Sequence, residues 1–185
     1  MRKFILSFAI LLSLAAPASA GPDAERHISV IVDQLGDVEE GREVDFVLDQ
    51  VDMQRLSKFV LGKYGREAKP EEIDIFQSRL DQFLHDFLAN RSGELSNATV
   101  KVLSSVDRNE TDSIVTTRVS SPSRSPTLMR WRVLFRNGEW RVVDVEVHGL
   151  WLAIEQRAQI ASLMDRGNVD ILDLYPTENR KASAE

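Results

Sequence analysis

Apolar residues recur every three to four positions through the first half of the chain and every second position through much of the second half. Ile28, Ile31, Val32 and Leu35 fall on one face of a helix that Gly36 ends. Val44, Val47, Leu48 and Val51 repeat the spacing in a second, short helix. Asp52 then stands where a side-chain oxygen can cap a third, with Leu56, Phe59 and Val60 on its inner face. Pro70 suits the first turn of a further helix, and Glu71 and Glu72 follow it near the positive end of the helix dipole. That helix carries the longest stripe in the chain: Ile73, Phe76, Leu80, Phe83, Leu84, Phe87 and Leu88.

From Ala98 the period becomes two. Val100 and Val102 alternate with Lys101 and Leu103, and Ile114, Thr116 and Arg118 alternate with Val115, Thr117 and Val119. Ser120 to Pro126 reads as a loop, Leu128 to Arg136 as a strand, and Trp140 to His148 as its antiparallel return across Asn137-Gly138. A two-residue turn there predicts Phe135 opposite Trp140, Val133 opposite Val142 and Trp131 opposite Asp144. One face would carry Met129, Trp131, Val133, Phe135, Trp140 and Val142. The other would carry Leu134, Val143, Val145 and Val147 among Arg130, Arg132 and Arg141. Helical spacing resumes over Leu150 to Met164, with Ile154, Ala158 and Ala161 on one face. A last turn, Val169 to Leu174, ends before Pro176, and residues 177–185 form a polar tail. No internal repeat or linker divides residues 21–176. Helices, an antiparallel meander and a closing helix define one α+β domain.

The 185 residues are 43% hydrophobic and 28% charged, enough apolar surface to sustain a folded core. A net charge of −6 disfavours general binding to a phosphate backbone, and the absence of cysteine excludes disulfides, thiolate nucleophiles and iron–sulfur clusters. The N-terminus changes the picture more. Met1-Arg2-Lys3 precedes an apolar run from Phe4 to Ala16, and small residues stand at the −3 and −1 positions of a cut after Ala20. This is the pattern of a secretory signal peptide over residues 1–20, too short to span a bilayer. Removing Arg2 and Lys3 leaves 21 basic against 29 acidic residues and a charge of −8.

Chemistry is sparse. His27, His85 and His148 lie in different elements, without ligand spacing to one another, and predict no metal site. The best acid–base candidate is Asp144-Val145-Glu146-Val147-His148, whose polar residues would alternate onto one strand face. The structural reading is the stronger: Asp144 bonding to Trp131 or a nearby arginine, Glu146 and His148 running toward a solvated strand end. The apolar stripes are open to two readings as well, since a filled core and a ligand-filled cavity require the same side chains.

Three runs, in order, resemble the MlaC/toluene-tolerance (Ttg2-type) family of periplasmic phospholipid carriers, which includes a hopanoid-associated relative. The first is Val60 to Arg66 with Ala68-Lys69-Pro70-Glu71 and the Phe-rich helix. The second is Gly138 to Val145, ending at His148-Gly149-Leu150. The third is Arg157 with Gly167, Asp170 and Leu172. Together they cover about Asp49 to Leu174. Gly65 stands where the family has an aromatic, Lys69 where it has a capping threonine, His148 where it has an acid, and Leu150-Trp151 where it has a small pair.

The resemblance implies curved strands and helices enclosing an apolar cavity, in an NTF2/cystatin-like architecture. It implies a periplasmic, non-enzymatic carrier that needs no cofactor. Its ligand would be a phospholipid or hopanoid-type lipid, and its partners an inner-membrane ABC transporter with a lipid-binding ring and an outer-membrane lipoprotein–porin complex. Lipid contact would fall to Phe59, Leu80, Phe83, Leu84, Phe87, Trp131, Val133, Phe135, Trp151 and Ile154. Gly62 (close packing or a helix end), Asp144 (strand anchoring), Gly149 and Arg157 (an ion pair) would be structural. The physics agrees: exposing the roughly 30 methylenes of a diacyl lipid costs on the order of 20 kcal/mol, so a protein sheath is needed for passage through water. The rival is a small exported isomerase or hydrolase using Asp144 and His148.

Overall fold

A computed structural model describes residues 21–39, 41–90, 97–122, 124–167 and 169–175. The leader and the tail at 177–185 lie outside the described residues. Helix α1 spans Gly21–Leu35, α2 Glu43–Asp49, α3 Met53–Leu61, α4 Tyr64–Glu67 and α5 Pro70–Ala89. Strands β1 (Thr99–Asn109), β2 (Asp112–Ser121), β3 (Arg124–Arg136), β4 (Glu139–Val147) and β5 (Leu150–Trp151) form one antiparallel meander in sequence order. Helix α6 (Leu152–Asp165) and a short 3₁₀ turn (Ile171–Asp173) close the chain. This is the α+β arrangement the periodicities predict.

Local signals act where the sequence places them. Asp52 caps α3 by accepting from Arg55 N at 3.0 Å, and Pro70 opens α5. Glu72 reaches back to accept from Lys69 N at 2.8 Å, so one half of a capping box is kept without a threonine at 69. Asn137 and Gly138 take φ values of 53° and 87°, as a tight hairpin with both central residues left-handed requires.

Four expectations are corrected. The loop expected over 120–126 is shorter, because β2 continues to Ser121, which pairs with Arg124; Pro126 is tolerated beside a register irregularity between Val119 and Ser121. The hairpin register holds at Phe135–Trp140 and Val133–Val142 and then slips. A bulge at Val143 puts Val145 opposite Trp131 and Asp144 opposite Arg132. Val145 and Val147 therefore join the Trp131 face, while Asp144 and Glu146 cross to the arginine face. Next, Leu150-Trp151 is a strand: His148 and Gly149 (φ 52° and 83°) make a second tight turn, and Trp151 pairs with Glu146. Finally, α6 buries Ala153 and Ile160 and packs Met164 inward, while Ile154 and Ala158 are exposed.

Two cores result. In the first, Ala24 and Ile28 of α1 lie on Val115, Val133 and Val142 of the sheet, flanked by Trp131, Trp140 and Val145. In the second, Val60 and Leu61 of α3, Phe76 and Leu80 of α5, Ala153 and Ile160 of α6, Ile171 and Tyr175 pack together without a sheet residue among their buried members. Strand β4 joins them. At one end Val142 exchanges backbone bonds with the α2–α3 junction, donating to Gln50 O and accepting from Asp52 N. Further along, Asp144 holds the start of α6.

Candidate functional site

The arginine face of the sheet carries an ion-pair ladder, to which β2 contributes Asp112 and the bulge in β4 adds Asp144 and Glu146. Arg132 makes a two-pronged contact with Asp112, Nε to Oδ1 at 3.1 Å and Nη2 to Oδ2 at 2.9 Å. Arg130 pairs with Glu146 at 3.0 Å and lies 5.3 Å from the Trp151 ring. Asp144 is buried and its Oδ1 accepts from Val145 N at 2.8 Å and from Ala153 N at 2.9 Å. Desolvation raises its pKa, opposed by those two backbone donors and by Arg132. The carboxylate thus caps α6 from the neighbouring strand, while Trp131 sends its indole N–H to Thr117 Oγ1 at 2.8 Å.

Gly62 stands at a helix end and at a close approach. It ends α3 at φ 57°, and a Cβ there would stand 3.1 Å from the Arg157 guanidinium. Arg157 itself lies over the Phe59 ring, 5.1 Å from its centroid; among the described residues that contact takes the place of the expected ion pair. Gly149 supplies the second left-handed residue of the β4–β5 turn.

The ten apolar candidates divide between the two cores. On the sheet, Val133 is completely enclosed beneath α1, Trp131 is half-buried, and Phe135 is exposed at the hairpin end, 5.4 Å from Trp140. In the helical layer Leu80 is enclosed, and Phe59 and Leu84 are partly buried against the core. One turn beyond Leu80 the stripe of α5 emerges: Phe83 and Phe87 are 39% and 42% exposed. Their rings stand 6.3 Å apart, and Phe83 lies 4.8 Å from Tyr175. Ile154 is 53% exposed on α6, and Trp151 is half-buried at the sheet edge. Open apolar surface thus occurs on the second half of α5 and the start of α6, and also on the sheet, where Val106, Leu128 and Leu150 are exposed.

A feature that the sequence did not single out is a cleft of about 580 Å³ lined by His27, Asp49, Gln50, Glu139, Trp140 and Arg141. Arg141 ties it together, donating to Asp49 O and to Glu139 at 2.9 Å. Burial, then Arg141, lowers the His27 pKa, with Glu139 opposing. Its walls are polar and suit hydrogen bonding to a small polar group, not the sheathing of hydrocarbon. Lone polar residues from α1, α2 and β4 carry no spacing signal that joins them.

The acid–base candidates do not converge. Asp144 is committed to the α6 N-terminus, Glu146 to Arg130, and His148 sits exposed in the turn. Among the described residues no cluster of His, Asp or Glu is arranged to hold a metal, and no helix is long and apolar enough to cross a membrane.

A meander of antiparallel strands with a helical layer joined along one strand defines an α+β class of small protein. The comparisons narrow that class. The family described as MlaC protein matches residues 42–173, and the chain belongs to that family. A curated relative, the toluene tolerance protein Ttg2D of Pseudomonas putida, is 27% identical over 122 residues. That alignment covers 65% of this chain and 57% of the relative's length, so the chain matches little more than half of it. Among solved structures, the phospholipid-binding protein of Ralstonia solanacearum in complex with a phospholipid superposes with a TM-score of 0.66 at 21% identity. The match covers 82% of this chain and 90% of that one, and establishes a shared fold.

Proposed function

We propose that this protein is a soluble periplasmic carrier that binds the acyl chains of a phospholipid or related membrane lipid. It moves the lipid between an inner-membrane ABC transporter and an outer-membrane complex, and so helps maintain outer-membrane lipid asymmetry. The observation that carries the reading is the stripe of α5. Its first half fills a core, and its second half continues the same pattern as Phe83 and Phe87 with surface left uncovered. Aromatic side chains that stay partly exposed on a packed helix have apolar area to give to a ligand. Membership of the MlaC family and a fold shared with a protein whose solved structure holds a phospholipid support the same reading.

On this reading Phe83, Phe87, Leu84, Ile154 and Trp151 touch the acyl chains. Val133 and Leu80 act from behind, keeping each wall rigid. The headgroup stays in water and needs no reactive residue, in keeping with the structural commitments of Asp144 and Glu146. The enzyme reading requires Asp144 to leave the α6 N-terminus, and no feature of the site favours that.

Native mass spectrometry of protein purified from the periplasm, paired with analysis of an organic extract, tests the proposal. Stoichiometric lipid is the expected result. Phe83→Glu together with Phe87→Glu should abolish it while circular dichroism stays unchanged. A lipid-free mass with no uptake from liposomes would overturn the carrier reading.

A further inference from the structure

The first residue of α1 makes a contact out of proportion to its size. Gly21 is buried, and its backbone nitrogen donates to Asp107 Oδ2 of β1 at 2.8 Å. A Cβ at this position would lie 2.7 Å from Ser105 Oγ and 3.3 Å from Asp107, so a larger residue would have to turn these side chains aside. Ser105 and Asp107 pair with Val115 and Ser113, which places them on the sheet face that α1 covers. Three residues on, Ala24 is fully enclosed in that core. The peptide nitrogen of Gly21 is also the one that a cut after Ala20 would free, at the position where the small residues Ala18 and Ala20 mark a processing site.

We infer that Gly21 is the N-terminal residue of the working protein and that its α-ammonium group is locked onto the Asp107 carboxylate, so that proteolytic maturation completes the docking of α1 on the sheet. Hydrolysis of the Ala20–Gly21 bond adds water across the amide, leaving a carboxylate on Ala20 and an amine on Gly21 that takes up a proton. One amide donor becomes three donors carrying a full positive charge. A charge-assisted bond to a carboxylate is roughly twice as strong as its neutral counterpart. A cation at the positive end of a helix is unfavourable by itself. Asp107 supplies the opposing charge, and Asp23 in the first turn, itself paired with Arg26 at 2.5 Å, adds a second carboxylate nearby in sequence. A carboxylate at 2.8 Å from this nitrogen thus suits a charged chain end better than a mid-chain amide. This inference is independent of the ligand.

The test begins with the full chain expressed with its own leader, and the intact mass of the exported product should correspond to a start at Gly21. In that protein, NMR titration of labelled Gly21 should place its amine above the usual range of about 7.7–8.0, and Asp107→Asn should return it there. Thermal melts supply the coupling. Asp107→Asn should lower Tm by roughly 3–6 °C in the chain starting at Gly21. It should cost at most about a third of that in a chain extended by Ser-Ala ahead of Gly21, where only the amide contact remains. A different N-terminus, an amine titrating alike with and without Asp107, or equal Tm losses in the two chains would each overturn the inference. Lipid content read on the same samples keeps this result separate from the carrier proposal.

Discussion

The sheet core and the helical core are built from the same kinds of side chain, yet they finish differently. Under α1 the apolar surface is closed: Ala24, Ile28, Val115 and Val133 have essentially no exposure. In the helical layer closure stops half-way along α5. Phe76 and Leu80 are enclosed, whereas Phe83 and Phe87, at the same helical spacing, are not. A continuous stripe on one helix therefore serves as core for two turns and as open surface for the next two. The difference lies in what faces it: α3, α6 and the last 3₁₀ turn cover the first part, whereas the second part meets α2 through His85 and Asp45, 3.4 Å apart, and Tyr175 through Phe83, which leaves Phe83 and Phe87 partly exposed.

Truncation is the most forceful way to break this comparison. Phe76→Ala should cost about 3–5 kcal/mol and Ile28→Ala about 2–5 kcal/mol by denaturant unfolding. Phe83→Ala, the same chemical change seven residues away, should cost no more than about 1 kcal/mol while weakening lipid retention. Equal losses at Phe76 and Phe83 would mean that α5 is all core.

The joint between the cores comes next. Asp144→Ala leaves two backbone donors without their acceptor and should cost about 2 kcal/mol. Asp144→Asn keeps an oxygen in place, removes the desolvated charge, and should cost less than about 1 kcal/mol. Because burial raises the folded pKa of Asp144, its contribution to stability is complete below the unfolded carboxylate value and diminishes as pH rises through the folded value. The asparagine variant should lack that slope when melts are run across the acidic range. Gly62→Ala probes the α3–α6 contact and should cost about 1–2 kcal/mol, since a Cβ is strained at φ 57° and presses on Arg157.

The smallest effect concerns His27 at the cleft. Its folded pKa is depressed, so the neutral ring is favoured; its contribution is complete above about pH 6.5 and is lost as pH falls from there through the folded value. Melts between pH 7.5 and 5 should show a decline that His27→Gln flattens. An unchanged slope would remove His27 from the account.

Much of the secondary structure was legible because its signals are local. A cap such as Asp52, a first-turn proline such as Pro70 and a two-residue Asn-Gly turn each act within four residues of themselves. The candidate site was legible as a stripe on α5 but not as a surface, since spacing says which residues share a face and not where the opposing partner ends. Trp131 and Val133 read as cavity wall by the same rule that made them core under α1.

The sequence by itself determined the α+β class, the family and the order of the elements, because periodicity and turn chemistry are written within each segment. Tertiary structure decided the bulge at Val143, the assignment of Leu150-Trp151 to the sheet and the inward face of α6. One extra residue in β4 turns Asp144 from the tryptophan face to the arginine face, where it can reach Ala153 and fix α6. The choice depends on partners distant in sequence: Val142 and Val145 pack beneath a helix more than a hundred residues away, and the Asp144 carboxylate needs its donors.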